Sequence, residues 1–452
     1  MKKLFIADTV DKVGETVELY GWVHRVRDHK GVVFVDLRDR TGVVQVVGGS
    51  ELAKASPEDV VHITGTVKRR PEHMVNPKLK TGTVEVKVKE FEIVSHAKPL
   101  PFDFAKEELD VTLPTLLNWR TITLRHPKVQ LIFKIQEAVM EGFRNATQEL
   151  ECVEVFVPTI SAQSTEGGAD VFKVQYFDYD AYLVQSPQLY KQIMVPVFER
   201  VYLISHAYRA EPSVTTRHLT ESTQMDCELG FFSFDELIDA YESVARKMLG
   251  YVAKKHTDSF SVFDVDSPRI PKKIPRLTLR EAQKIIKERT SRNCKDEPDL
   301  SPEDEREVGV WAKEKHDSDL VTITHFPIHK RAFYTEPDPN DPKYSLSYDL
   351  LFRGAEILSG SQRIYEYDKL VATIKERGMD PKDFSLYLQA FEYGMPPHGG
   401  FSFGLERLTM MLLGLPNIRQ ASLFPRDMER IDIHLPTHKN HGKKEPSKKT
   451  KS

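Results

Sequence analysis

Five short runs in the first hundred residues alternate apolar and polar side chains with a period of two, and that pattern leaves few folds open. The runs are Val17–Arg27, Val32–Asp39, Gly42–Val47, Asp59–Arg70 and Thr83–Ser95. Turn-forming residues part them: Asp28-His29-Lys30-Gly31, then Arg40-Thr41-Gly42, then a helix-like Glu51–Ser56. Neighbouring residues of a strand face opposite sides of a sheet, so each run offers one apolar face. Five strands of this length bury those faces together by closing into a small barrel.

A helix between the third and fourth strands is the arrangement of a Greek-key barrel of the OB type, although other small barrels share the alternation. We assign residues 1–96 to this barrel. Lys98-Pro99-Leu100-Pro101-Phe102 stiffens the chain, and 97–125 is expected to be a linker. From His126 the texture changes. Gln130–Leu150 reads as a long amphipathic helix, Val153–Val157 as a strand ending at Pro158, and strands and helices then alternate irregularly to Leu435. The fold class is therefore α+β: the barrel, then a second domain over 126–436 built on a mostly antiparallel sheet with flanking helices. Residues 437–452 are Lys-rich without apolar residues and read as a basic, disordered tail.

With 452 residues, 40% hydrophobic and 29% charged, the chain has the composition of a globular protein rather than a disordered one. Its 64 Lys+Arg and 67 Asp+Glu nearly cancel. Locally they do not: residues 1–100 carry +3 and 437–452 carry +5, leaving −11 on the middle. A polyanion would find its positive charge at the two ends. Cys152, Cys227 and Cys294, odd in number and widely spaced, fit neither a disulfide framework nor a CxxC metal site and suit a reducing cytoplasm. No apolar run reaches the roughly 20 residues of a membrane span, and Met1-Lys2-Lys3 leads into no signal-type core.

Three stretches carry chemistry. Tyr208-Arg209-Ala210-Glu211 continues through Thr215-Thr216-Arg217-His218-Leu219-Thr220-Glu221 to Asp226-Cys227-Glu228, reading as strand, polar loop, strand. Two arginines on such a loop suit phosphate, because guanidinium offers a planar fork of donors that keeps its charge. Gly399-Gly400-Phe401-Ser402-Phe403-Gly404-Leu405-Glu406-Arg407 runs into the apolar helix Leu408–Leu413, so backbone can approach a nucleotide and Arg407 can face it. Glu356-Ile357-Leu358-Ser359-Gly360-Ser361-Gln362-Arg363 sets a carboxylate and a hydroxyl where they can share a hard cation such as Mg²⁺. Alone, each also fits an ordinary element: a salt-bridged hairpin, a glycine turn before a helix, a polar strand.

Taken together, Arg209/Glu211, Glu356/Ser359 and Gly404/Arg407 resemble, in order and spacing, the active site of class II aminoacyl-tRNA synthetases. The helix, strand and Pro158 resemble that class's first motif, Tyr208–Glu228 its second and Gly400–Arg407 its third. No HIGH or KMSKS string of the other class is present. The barrel before the core resembles subclass IIb, which serves aspartate, asparagine or lysine. Thr165-Glu166-Gly167-Gly168-Ala169-Asp170-Val171-Phe172, Gln185-Ser186-Pro187-Gln188-Leu189-Tyr190-Lys191-Gln192, Arg331-Ala332-Phe333-Tyr334-Thr335 and Tyr393-Gly394-Met395-Pro396-Pro397-His398-Gly399-Gly400 resemble the archaeal-type aspartyl-tRNA synthetases. The likeness runs from about residue 10 to about residue 430, and about 130 residues between Glu228 and Glu356 leave little room for an inserted domain.

The resemblance implies ATP-dependent attachment of L-aspartate to tRNA(Asp), and to tRNA(Asn) in a non-discriminating form, in a cytoplasmic homodimer that needs Mg²⁺. Arg209 and Arg407 would be catalytic, Arg209 bridging the α-phosphate and the substrate carboxylate. Glu211, Arg217, His218, Leu219, Glu356, Gly404, Leu405 and Glu406 would join them around ATP, with Arg217 and His218 on the outer phosphates. Glu356 and Ser359 would hold Mg²⁺. Arg363 and Lys191 would meet the side-chain carboxylate, Glu166 and Asp226 the ammonium, with Ser186, Gln188 and Ser359 lining the pocket. Phe34 and Gln45, extended by Arg25, Arg27 and Glu85, lie where relatives read anticodon bases, and His24 stands where many relatives that also charge tRNA(Asn) carry histidine and those that charge tRNA(Asp) alone often carry tryptophan. Ser402-Phe403 departs from the usual Gly-Leu of the third motif, placing a side chain where backbone would pass the nucleotide. An asparaginyl-tRNA synthetase, a strictly discriminating aspartyl enzyme, a synthetase-derived asparagine synthetase and a non-catalytic tRNA-binding paralogue remain alternatives.

Overall fold

The computed structural model describes residues 4–104, 106, 108–162, 171–212, 215–432 and 435. Two compact units result, residues 1–116 and 117–452.

In the first unit β1 (Thr16–His29), β2 (Val32–Asp39), β3 (Gly42–Gly48), β4 (Val60–Arg69) and β5 (Val84–Ser95) close in the order β1-β2-β3-β5-β4. Each lies within two residues of its expected bounds. β3 and β5 run parallel and the other pairs antiparallel. The inward residues are Val17, Leu19, Val23, Val33, Val35, Leu37, Val44, Val46, Val61, Ile63, Val67, Val84 and Val86, all buried. Mostly β-branched, they suit a pleated and crowded interior. The helix-like Glu51–Ser56 reduces to a single 3₁₀ turn at Leu52–Lys54. The stretch expected as a linker is not bare: Phe104 is buried, and short helices form at Leu113–Asn118 and Arg120–Thr123.

In the second unit β6 (Val153–Glu154), β10 (Arg200–Tyr208), β11 (Glu221–Gly230), β12 (Arg276–Thr278), β13 (Leu320–Thr324), β14 (Ser347–Phe352), β15 (Ala355–Gln362) and β16 (His398–Gly404) form one sheet in the order β12-β13-β14-β15-β16-β11-β10-β6. Only the outer pairs β12–β13 and β6–β10 are parallel. A small separate sheet holds β7 (Ile160–Ser161), β9 (Tyr179–Leu183) and β8 (Lys173–Tyr176) in that order.

Register explains what the large sheet does. Met225, Phe403, Leu358 and Leu350 stand in one cross-strand row, and all are buried. They join Ile132, Ile135, Val139 and Phe143 of the Pro127–Gln148 helix and Leu237, Tyr241, Val244 and Met248 of the Phe234–Lys255 helix in a single apolar core. One residue along, Asp226, Ser402, Ser359 and Asp349 make the next row. Period-two geometry turns that row to the opposite face. The two long helices thus cover one side of the sheet; on the other, the Leu279–Thr290 and Pro302–His316 helices pack over Val321, Ile323 and Leu351 at the β12–β14 end, and the polar residues beside them are left to build a site.

Candidate active site

A cavity of about 450 Å³ lies on that polar face. Fourteen expected site residues line it: Ser186, Gln188, Lys191, Arg209, Glu211, Arg217, His218, Leu219, Glu356, Ser359, Arg363, Gly404, Glu406 and Arg407. Asp226 lies fully buried in the polar row. Glu166 falls outside the described residues. Leu405 corrects the sequence reading: its side chain packs into the apolar core, so only its backbone is available to a nucleotide.

The floor is a buried four-charge cluster. Arg363 donates through Nε to Glu228 Oε1 at 2.8 Å and through Nη2 to the Gly400 carbonyl at 2.9 Å and to Gln188 Oε1 at 3.3 Å. Lys191 donates from Nζ to Asp226 Oδ1 at 2.9 Å and to the Phe401 carbonyl at 3.3 Å, and pairs with Glu228 Oε2 at 3.3 Å. Burial would raise the Glu228 carboxyl, but Arg363 and Lys191 outweigh it and hold it below its usual range. For Asp226 burial wins and the carboxyl is raised, with Lys191 offsetting only part. A buried ion cluster is stable only when every charge is paired and hydrogen-bonded, and Glu228 is the group that ties both cations down. Lys191 is therefore already paired within the protein before any substrate carboxylate reaches it.

Gly400 makes this possible. A Cβ there would stand 2.1 Å from Glu228 Oε2 and 2.2 Å from the Cys227 carbonyl, so a glycine is what lets the carboxylate cross its own sheet. Beside the cluster, burial holds the His398 imidazole down at about 4, neutral at physiological pH.

The third stretch holds a device invisible in sequence. Glu356 and Ser359 are three residues apart and in a regular strand would face opposite sides. Pairing slips between Leu350 and Leu351, which sets Leu350 opposite Leu358 but Leu351 opposite Glu356. That bulge resets the alternation, and both residues reach the cavity. About a third of the Glu356 side chain meets solvent, yet it sits deep in the cleft. Burial and the Asp349 charge lift its carboxyl to about 7 against the pull of Arg407 and Arg331. Arg331 grips both Asp349 oxygens, at 3.2 and 2.7 Å, and donates to Ser359 Oγ at 3.1 Å.

At the other end, Arg209 and Arg217 come from the β10–β11 loop and Arg407 from the first turn of the Leu405–Leu412 helix. Arg209 is half exposed, with Glu211 3.8 Å away. Arg407 reaches the Glu356 carbonyl at 3.3 Å, and Arg217 lies 3.4 Å from Glu305. Glu406 accepts the Thr223 backbone N–H on both oxygens, at 3.1 and 2.9 Å, so it braces the helix against β11. Burial raises its carboxyl to about 6. Sequence reasoning gave no role to Glu228, Arg331, Asp349 or Glu305. Glu228, two residues after Asp226 on one strand, and Arg331, within a quoted motif, were findable; Asp349 and Glu305 had no signal.

On the barrel, Arg25 pairs with Asp36, Asp36 with Gln45, Gln45 with Glu85 and Glu85 with Lys68 across neighbouring strands. Arg27 donates to Asp36 Oδ1 at 2.7 Å, and Gln45 to Glu85 Oε2 at 3.2 Å. Phe34 stands opposite Arg27, its ring edge-on to His29. These residues share one outward polar face. His24 differs: it is the bulged residue between Val23 and Arg25, its Nδ1 3.2 Å from Arg38 Nη1 and its ring against Phe104.

Three arginines thus stand over one end of the polar face, and a Lys–Arg pair matched by Asp226 and Glu228 lies buried under the other. The sequence pattern of class II tRNA synthetases (D, K and N) matches residues 112–428, and that of the OB-fold nucleic acid binding domain matches 17–94. The chain belongs to the class II aminoacyl-tRNA synthetases of that family. Within it, the chain is 43% identical over 431 residues to the aspartate–tRNA(Asp/Asn) ligase of Thermus thermophilus, covering 95% of this chain and 99% of that one. It is 38% identical over 435 residues to the aspartate–tRNA(Asp) ligase of Pyrococcus horikoshii, covering 92% and 96%. Among solved structures, asparaginyl-tRNA synthetase from Pyrococcus horikoshii with asparaginyl-adenylate superposes with a TM-score of 0.87 at 31% identity, covering 95% of this chain and 99% of that one.

Proposed function

We propose that this chain joins L-aspartate to tRNA(Asp) and tRNA(Asn) in two steps, using ATP. The observation that carries the reading is the buried Arg363–Lys191 pair flooring the cavity, a site for a substrate whose side chain is itself a carboxylate. A lysine side chain would be repelled there. An uncharged amide would gain no ion pairing from the two cations, whose charges Asp226 and Glu228 already match.

In the first step the α-carboxylate attacks the α-phosphorus and pyrophosphate leaves, forming aspartyl-adenylate. Both reactants are anions, so the residues must neutralise charge and hold geometry rather than supply a strong base. Arg209 bridges the attacking carboxylate and the α-phosphate, Arg407 meets the nucleotide, and Arg217 turns from Glu305 towards the outer phosphates with His218 beside it. Burial, with Arg407, Arg209 and Arg217 nearby, draws the His218 imidazole below its usual range. In the second step a terminal ribose hydroxyl of tRNA attacks the acyl carbon and AMP leaves. Glu356 and Ser359 fit Mg²⁺: the carboxyl is raised to about 7 by burial and a neighbouring negative charge, a surplus that a cation relieves, and the hydroxyl faces the cavity. When bound, Mg²⁺ supplies charge neutralisation on the polyphosphate.

The outward face holding Arg25, Arg27, Phe34, Gln45 and Glu85 is assigned to anticodon bases, which stack and hydrogen-bond. Dual tRNA use draws support from His24 and from the two-tRNA name of the Thermus thermophilus relative. A homodimer fits the edge strand β6 and the segment after it, where Val153 is 41% and Phe156 88% exposed. Among the described residues no helix is long and apolar enough to cross a membrane, and a cytoplasmic place of action fits the substrates.

Charging of tRNA(Asp) and tRNA(Asn) transcripts with labelled aspartate and asparagine tests the reading. Aspartate on both tRNAs is expected. Asparagine on tRNA(Asn) would make the enzyme asparaginyl, and aspartate on tRNA(Asp) alone would remove the second tRNA.

A further inference from the structure

Ser402 is the chain's departure from the usual glycine of the third motif, and the sequence set it beside the nucleotide. The sheet also sets it against the amino-acid pocket. Its neighbours Phe401 and Phe403 are sunk in the apolar core, so Ser402 faces the cavity side. There it stands in register between Asp226 of β11 and Ser359 of β15. Asp226 is the carboxylate that receives the Lys191 ammonium, on Oδ1. Its second oxygen, Oδ2, and the Ser402 hydroxyl are both buried, and neither reaches a hydrogen bond of ordinary geometry with any other described group. Two such orphans side by side are each other's nearest remedy. The hydroxyl already draws the Asp226 carboxyl down, against a rise driven by burial.

We infer that Ser402 is a positioning residue of the amino-acid pocket: its hydroxyl donates to Asp226 Oδ2, keeps that carboxylate charged and aimed, and so fixes the Lys191 ammonium beneath the substrate's side-chain carboxylate. The inference rests on the aspartate reading above and goes beyond it, since it assigns the extra hydroxyl to amino-acid binding rather than to ATP. With a glycine or alanine at 402, Oδ2 loses that hydroxyl, and the Lys191–Asp226 pair loses its orientation. The nucleotide contacts of Arg209, Arg217 and Arg407 come from the β10–β11 loop and the Leu405–Leu412 helix. They do not pass through the 402 side chain.

The test is steady-state ATP–pyrophosphate exchange by the full-length enzyme and its Ser402→Ala, Ser402→Gly and Ser402→Thr variants, with separate KM values for aspartate and ATP. Ser402→Ala and Ser402→Gly are expected to raise the KM for aspartate about 5- to 10-fold, the scale of a lost hydrogen bond to a charged group acting through one intermediary, and to move the KM for ATP less than about 2-fold. Ser402→Thr, which keeps the hydroxyl, is expected to stay within about 2-fold of the wild type for both. An unchanged KM for aspartate in Ser402→Ala overturns the inference. So does a rise confined to ATP, an equal rise for both substrates, or a Ser402→Thr enzyme as impaired as Ser402→Ala. Absence of aspartate-dependent exchange in the wild-type enzyme would instead strike the functional reading and is told apart at once.

Discussion

Replacing Glu228 with glutamine removes one negative charge from the floor and almost no volume. Glu228 is fully buried, accepts from Arg363 at 2.8 and 3.3 Å and pairs with Lys191 at 3.3 Å. A glutamine could offer one acceptor oxygen, but its amide nitrogen would turn N–H groups towards cations that are themselves donors. Lys191 would keep Asp226, and Arg363 would be left with the neutral acceptors Gln188, Ser361 and the Gly400 carbonyl. Breaking a buried pair by removing one partner costs about 3–5 kcal/mol, and for a unit of this size that corresponds to a fall of about 5 °C or more in Tm. The pH dependence follows from sign. Because the Glu228 carboxyl is held below its ordinary 4.5, its contribution is complete above that value and is lost as pH falls through the folded value. The gap between wild type and Glu228→Gln should therefore be full at pH 7 and close only in acid below about pH 4.5. Differential scanning calorimetry at pH 7 and at stepwise lower pH measures both, and aspartate-dependent exchange should show a KM raised at least about 10-fold. A Glu228→Gln enzyme melting within 1 °C of wild type at pH 7, with an ordinary KM, would refute the reasoning.

Gly400→Ala should abolish exchange and lower Tm more than Glu228→Gln does, since its Cβ would stand 2.1 Å from Glu228 Oε2 and 2.2 Å from a backbone carbonyl; calorimetry and exchange check it. Lowering pH from 8 to 6 should raise the KM for Mg-ATP, because a carboxyl titrating at about 7 gains the proton that competes with the cation; Glu356→Gln should be nearly inactive and show no such pH slope. Phe34→Ala should raise the KM for tRNA in aminoacylation by about 5- to 150-fold, the range of one lost base stack at about 1–3 kcal/mol.

Much of the fold could be read in advance because its cause is local. Alternation located all five barrel strands, and the pattern strand, polar loop, strand around Arg209 became β10, the loop and β11. What escaped depends on pairing between distant segments. Nothing between Glu356 and Ser359 announces the slip that turns both into the cavity. Asp349 was one acidic residue among many until β14 set it opposite Ser359 and Arg331 closed on it. Leu405 was placed by its position in a motif, which says nothing about the helix phase, and that phase sends its side chain into the core. Lys191 and Arg363 were legible as cations. That one buried glutamate holds both is a fact of three-dimensional register.

The most direct test of the account is the ratio of kcat/KM for aspartate and asparagine in Mg-ATP–pyrophosphate exchange by the wild-type enzyme. A floor carrying Lys191 and Arg363 predicts a preference for aspartate of at least about 100-fold, more than 2.7 kcal/mol at the transition state. Equal use of the two amino acids, or a preference for asparagine, would contradict it.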